Sequence, residues 1–142
     1  KLFLVNTNIT RSSQSTLEKI KNEASSFDSI KNLLNIADEF INKSKKLNDI
    51  EIEDLLAISM KKAWRIKKKM LGIMNEELKY IETKLENNGF DVLKLLGAGG
   101  GGYFLVLHTG KDFNSSKSAI TKNNLKLKDI KISYEGCTSW KF

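Results

Sequence analysis

The sequence predicts an α+β fold, an antiparallel four-stranded sheet with helices packed mainly on one face. Three observations carry this. Short apolar runs rich in strand formers stand near both ends of the chain, apolar residues at helical spacing fill its middle, and a glycine-rich loop joins two of the strands. At 142 residues the chain has room for one ordinary core and not for two, so residues 1–142 are expected to form a single domain.

The first strand is read at Leu2 to Asn6, and it gives way to the polar segment 7–13. Ser15 and Glu18 have capping-box spacing, with Leu17, Ile20, Ala24 and Phe27 following as the stripe of a first helix. Asp28 is expected to cap a second, carrying Ile30, Leu33, Leu34, Ala37, Phe40 and Ile41 on one face. A third should start near Asp49, because Glu51, Glu53 and Asp54 suit the positive end of a helix dipole and Lys67, Lys68 and Lys69 the negative end. Its stripe runs through Ile52, Leu55, Leu56, Ser59, Ala63, Ile66 and Met70. Leu78, Ile81 and Leu85 mark a fourth, closed at Asn87-Asn88-Gly89. Residues 92–96 and 103–108 read as strands, residues 112–122 as a weaker helix, and the alternation over 125–132 as a last strand with a bulge.

Composition excludes more than it assigns. The chain is 40% apolar with no apolar run near the roughly eighteen residues of a membrane helix, so no membrane partner is expected. Its net charge of +7 invites a nucleic-acid reading. Against that, Arg11 and Arg65 are the only arginines, and the lysines are spread over every segment, whereas base and phosphate recognition favours the arginine fork. A solvated lysine surface is the better account. Cys137 is the single cysteine, which fits a reducing, cytoplasmic setting. The chain opens on Lys1 and runs straight into Leu2-Phe3-Leu4-Val5, which reads as a fragment of a longer protein.

Gly97-Ala98-Gly99-Gly100-Gly101-Gly102 is the segment that composition does not explain. Five glycines in six positions imply positive φ angles or a close approach of backbone to something else, and phosphate held by successive amides is the usual reason. A tight hairpin connection is the alternative, though one or two glycines suffice for that. A P-loop needs Lys and then Ser or Thr after the last glycine, and here Tyr103-Phe104 follows. A dinucleotide fold needs a helix there, and 103–107 is a strand. A protein-kinase glycine loop needs HRD and DFG segments downstream, and the forty residues after Gly102 hold neither.

The stretch Lys94-Leu95-Leu96 followed by that loop and an apolar strand resembles the third motif of the GHMP small-molecule kinases. Within that superfamily, Ala63-Trp64-Arg65-Ile66-Lys67-Lys68 and Thr7-Asn8-Ile9-Thr10-Arg11-Ser12 look like the sugar kinases that act on D-glycero-D-manno-heptose 7-phosphate. Asn8 stands where their loop has glycine. The resemblance spans residues 2 to about 136 and implies a ferredoxin-like sandwich, the C-terminal domain of an ATP-dependent sugar kinase. ATP and Mg2+ would be bound mainly by a preceding N-terminal domain, which would be this domain's partner, and a sugar phosphate would be the substrate. Surface-polysaccharide precursor synthesis would be the setting. Gly97, Ala98, Gly99, Gly100, Gly101, Arg11 and Lys68 are the implied phosphate and substrate contacts, and no catalytic or metal-binding residue is implied.

Other readings stand beside these. Trp64 reads equally as a helix-packing aromatic, Lys67 and Lys68 as solvated helix-terminal charges, and Arg11 as a surface cation. His108, the only histidine, has no metal or triad partner and is assigned no role. A bulky side chain at Gly99 is expected to block function while leaving the fold. A binding or regulatory domain that keeps the fold without the chemistry is the alternative function.

Overall fold

The computed structural model of the chain describes residues 2–10, 18, 25–70, 73–97, 99–110 and 112–131. Its elements follow in the order β1 (Leu2–Asn6), α1 (Ser25–Ser44), α2 (Asp49–Lys68), α3 (Glu76–Glu86), β2 (Val92–Leu95), β3 (Tyr103–Leu107), α4 (Phe113–Lys122) and β4 (Leu127–Asp129). The sheet has the strand order β2-β3-β1-β4 with every pair antiparallel, which is the ferredoxin-like arrangement.

Register decides which residues share a face. Phe3 lies opposite Val106 and Val5 opposite Phe104, while Leu93 and Leu95 oppose the same two β3 residues from the other side. Because side chains alternate along a strand, all six point to one face, where each is essentially inaccessible. On that face they meet Leu78, Ile81 and Leu85 of α3, together with Trp64, Ile73, Phe90, Ile120 and Leu125. The opposite face is covered only in part. There Val92 and Leu107 pack on Met60 of α2, with Leu2, Leu56 and Leu105 half-buried around them. Helix α2 therefore serves both sides of the edge strand β2.

Helix α2 starts where the sequence suggests, but its start is set by a box that the charge pattern did not reveal. Asn48 accepts from the amides of Ile50 and Glu51 at 3.1 Å each, and Glu51 accepts from the Asn48 amide at 3.0 Å. Asn75 caps α3 by accepting from Leu78 N at 2.8 Å, and Gly89 takes the left-handed φ of 83° that ends it. Asp112 caps α4 through Ser115 N at 3.0 Å.

Three expectations need correction. Asp28 does not cap α1; it sits within the first turn of the helix Ser25–Ser44. The apolar residues of α1 do not share one buried face. Leu33, Ile36 and Phe40 are half-buried beside α2, while Phe27, Ile30, Leu34 and Ile41 are 45–74% exposed. Strand β4 is three residues long, because Asn124 at φ 59° turns the chain and only 127–129 pair with β1. The helix read over 15–24 lies outside the described residues, apart from Glu18, as does Ile132. Among the described residues no helix is long and apolar enough to cross a membrane.

Candidate functional site

The glycine loop joins β2 to β3 and is fixed on three sides. Leu96 N donates to Tyr103 O at 2.9 Å, closing the hairpin. The amide of Gly100 donates to Ile73 O and that of Gly102 to Ile9 O, each at 3.0 Å. Thr7 then donates twice to Gly102 O, from its amide at 2.9 Å and its hydroxyl at 2.8 Å. On the far side the Lys67 ammonium donates to Gly97 O at 2.8 Å and Leu95 O at 3.0 Å.

Glycine is required here for two different reasons. Gly97, Gly99, Gly100 and Gly102 have φ between 71° and 106°, a region costly to any residue with a Cβ. Gly101 has no positive φ, but a Cβ on it would meet Ile9 O at 2.4 Å. Gly99 meets both conditions, since its Cβ would lie 2.5 Å from Ile73 Cδ1 and 3.1 Å from Ile73 Cα. A bulky residue at Gly99 would therefore force the loop off Ile73, and the expectation that it spares the local fold is corrected. Ala98 lies outside the described residues.

The amides also divide. Those of Gly100 and Gly102 are already used, which removes Gly100 from the expected phosphate donors, whereas those of Gly97, Gly99 and Gly101 make no hydrogen bond to a described residue. Facing them is the loop that follows β1. Asn6 Oδ1 accepts from Asn8 N at 3.0 Å and Thr7 Oγ1 from Ile9 N at 3.2 Å, so this loop is held by its own side chains. Asn8 has φ 55°. Asparagine is among the few residues that adopt this region readily, which is the physical reason it can stand where a glycine is expected. Between the loops lies a hollow of about 640 Å³, with Asn6, Asn8 and Thr10 on one side and Gly97, Gly99, Gly101 and Gly102 on the other. Two segments 90 residues apart in sequence, each singled out from its residues, thus face each other. Arg11 lies outside the described residues.

Lys68, one position beyond Lys67, does something else. Its ammonium pairs with Glu82 Oε1 at 2.7 Å, and the indole Nε1 of Trp64 donates to the same oxygen at 2.7 Å. Trp64 is 4% exposed and stands edge-on to Phe104 with ring centroids 5.7 Å apart. The packing reading of Trp64 is the one the structure bears out. Lys68 therefore faces α3 and not the hollow, and the lysine that touches the glycine loop is Lys67. Burial first, and then Lys94, holds the Lys67 ammonium below the usual lysine range. Nothing in the residue pattern separates the two adjacent lysines. Ile73 O and Ile9 O act through main-chain atoms, for which no side-chain pattern exists. Among the described residues no group of three or more His, Cys, Asp or Glu is placed to hold a metal ion.

This is a ferredoxin-like domain that presents a braced glycine loop across a hollow. No family model matches the chain, and no curated protein matches it by sequence. Solved structures do share the fold. A Lin0012 protein from Listeria innocua superposes with a TM-score of 0.67 at 19% identity, over 91% of this chain and 38% of that one. A mevalonate kinase gives 0.59 at 18% identity, over 89% and 38%. L. major mevalonate kinase in complex with R-mevalonate gives 0.56 at 19%, over 85% and 36%. The chain thus spans less than two fifths of the length of each of these structures. Its fold is one found within kinases.

Proposed function

We propose that the chain is the C-terminal domain of an ATP-dependent small-molecule kinase of the GHMP type. The observation that carries this is the glycine loop itself. It lines a hollow shared with the 6–10 loop, and the amides of Gly97, Gly99 and Gly101 make no hydrogen bond to a described residue, in a fold also found within mevalonate kinase. Phosphoryl transfer is largely positioning and charge stabilisation, and a glycine backbone braced on three sides beside a hollow suits that task. Gly97, Ala98, Gly99 and Gly101 act on the acceptor side of the site, and the donor groups for ATP and Mg2+ belong to the rest of the protein. The apolar residues that α1 leaves exposed, Phe27, Leu34 and Ile41, are surface available to that partner domain.

The acceptor proposed is a sugar phosphate, with the anomeric hydroxyl of a heptose 7-phosphate as the first candidate. This finer reading rests on the residue pattern at 7–12 and 63–68, and the left-handed Asn8 is compatible with it. Arg11 is proposed to reach the sugar's phosphate.

The test is an ADP-release assay on the full-length protein with ATP, Mg2+ and a panel of sugars, sugar phosphates and mevalonate. Release dependent on a sugar phosphate is expected. Release dependent on mevalonate alone would keep the kinase and discard the sugar. A protein that binds panel members without releasing ADP would be the non-catalytic domain.

A further inference from the structure

We propose that Lys67 is the positioning residue of the glycine loop, a half-buried cation on α2 that fixes where the loop leaves β2 and so sets its course over the hollow. The proposal deepens the reading above, and its consequence for turnover rests on that reading.

Leu95 is the last residue of β2, and Gly97 is the first glycine, at φ 71°. Their two carbonyls converge on one ammonium, at 3.0 and 2.8 Å. Between them, Leu96 spends its amide on Tyr103 O. The chain therefore turns out of the sheet with both flanking carbonyls satisfied by a single side chain from a helix some thirty residues earlier in sequence. Hydrogen bonds from a charged donor are roughly twice as strong as neutral ones, and an ammonium can serve several acceptors at once.

The neighbouring lysines of α2 show that this arrangement is particular to Lys67. Lys61 pairs with Asp91 and Lys68 with Glu82, each taking a carboxylate. Lys67 has no carboxylate partner among the described residues and is held by carbonyls alone. Burial and the nearby Lys94 disfavour its charge, so the two carbonyls compensate a cost that a solvated lysine would not carry. A cation on the carbonyl side also adds to the positive field that the loop's amides offer an anion.

The experiment is amide hydrogen exchange at Gly100 and Gly102 in the full-length protein, comparing wild type with Lys67→Met, Lys67→Arg and Lys61→Met. Lys67→Met should speed exchange at both glycines by about tenfold, the loss of roughly one charged hydrogen bond, with the core amide of Val106 unchanged. Lys67→Arg should stay close to wild type, and so should Lys61→Met. Acceptor kcat/KM should fall by about tenfold in Lys67→Met and recover in Lys67→Arg. Exchange at Gly100 and Gly102 within about twofold of wild type in Lys67→Met would overturn the proposal. Faster exchange in a protein that turns over no acceptor would leave the role of Lys67 standing and remove only the kinase reading.

Discussion

The indole Nε1 of Trp64 donates to Glu82 Oε1 at 2.7 Å inside the interface of α2 and α3, and the same oxygen takes the Lys68 ammonium. Glu82 is only 6% exposed, and a carboxylate in that position is tolerable because two donors meet it. Replacing Glu82 by Leu would strand the indole N–H and leave Lys68 unpaired. About 2 kcal/mol of stability should be lost, less than for a fully buried pair because Lys68 is a third exposed. Glu82→Gln, which keeps an acceptor, should lose about half as much. Urea unfolding of the three proteins measures both.

The two reasons for glycine in the loop should separate on substitution. Gly97→Ala meets open space and carries only the strain of φ 71°, about 1 kcal/mol. Gly101→Ala has no φ strain but drives a methyl to 2.4 Å from Ile9 O, which must break the Gly102 to Ile9 hydrogen bond. Thermal unfolding should fall by more for Gly101→Ala than for Gly97→Ala. The opposite order would mean that φ, and not the approach of Ile9, makes this segment glycine.

His108 links pH to stability. Its ring lies 5.1 Å from Phe90 and 5.3 Å from Phe113, and Nε2 meets Ser116 Oγ at 3.2 Å. Desolvation, the largest cause, holds its pKa below the usual histidine range, against the pull of Asp112 and Asp91. The unfolded chain therefore binds a proton that the folded chain resists. The stability from neutral His108 is complete above the unfolded value and is lost as pH falls through it toward the folded one. The melting temperature should drop between about pH 7.5 and pH 5.5. His108→Gln should lower it at pH 7.5 but flatten the slope, and an unchanged slope would assign the pH response to other groups.

Much of the fold is legible because β1, β2 and β3 are short apolar runs rich in strand formers, set apart by polar and glycine-rich segments. That Phe3 and Val5, Leu93 and Leu95, Phe104 and Val106 share the face of the main core follows from register and does not show in runs that are apolar almost throughout. Helix α1 was harder. Its apolar residues exceed what one neighbour can cover, so periodicity alone could not say that Leu33 and Phe40 would turn inward while Leu34 and Ile41 remained exposed. Trp64 fell off the predicted stripe because α2 packs on both sides of β2 and needs two apolar faces, one through Trp64 and one through Met60.

The site was legible as two segments and not as a set of contacts. Residues 97–102 declare themselves by glycine and the loop after β1 by its resemblance to a sugar-kinase loop, and Asn6, Asn8 and Thr10 meet the glycines across the hollow. Their fastening does not show in the sequence, since Ile73 and Ile9 contribute main-chain carbonyls and Lys67 is one of three consecutive lysines.

The most direct test of the account is the rate of ATP-dependent phosphorylation by the full-length protein carrying Gly101→Ala, measured beside wild type with the best acceptor from the panel. Wild type should release ADP in a sugar-phosphate-dependent way, and the variant should lose about a hundredfold in kcat/KM with the core still folded by hydrogen exchange. Wild-type turnover that survives Gly101→Ala unchanged would contradict it, because the glycine loop would then be a hairpin connection and not part of the site.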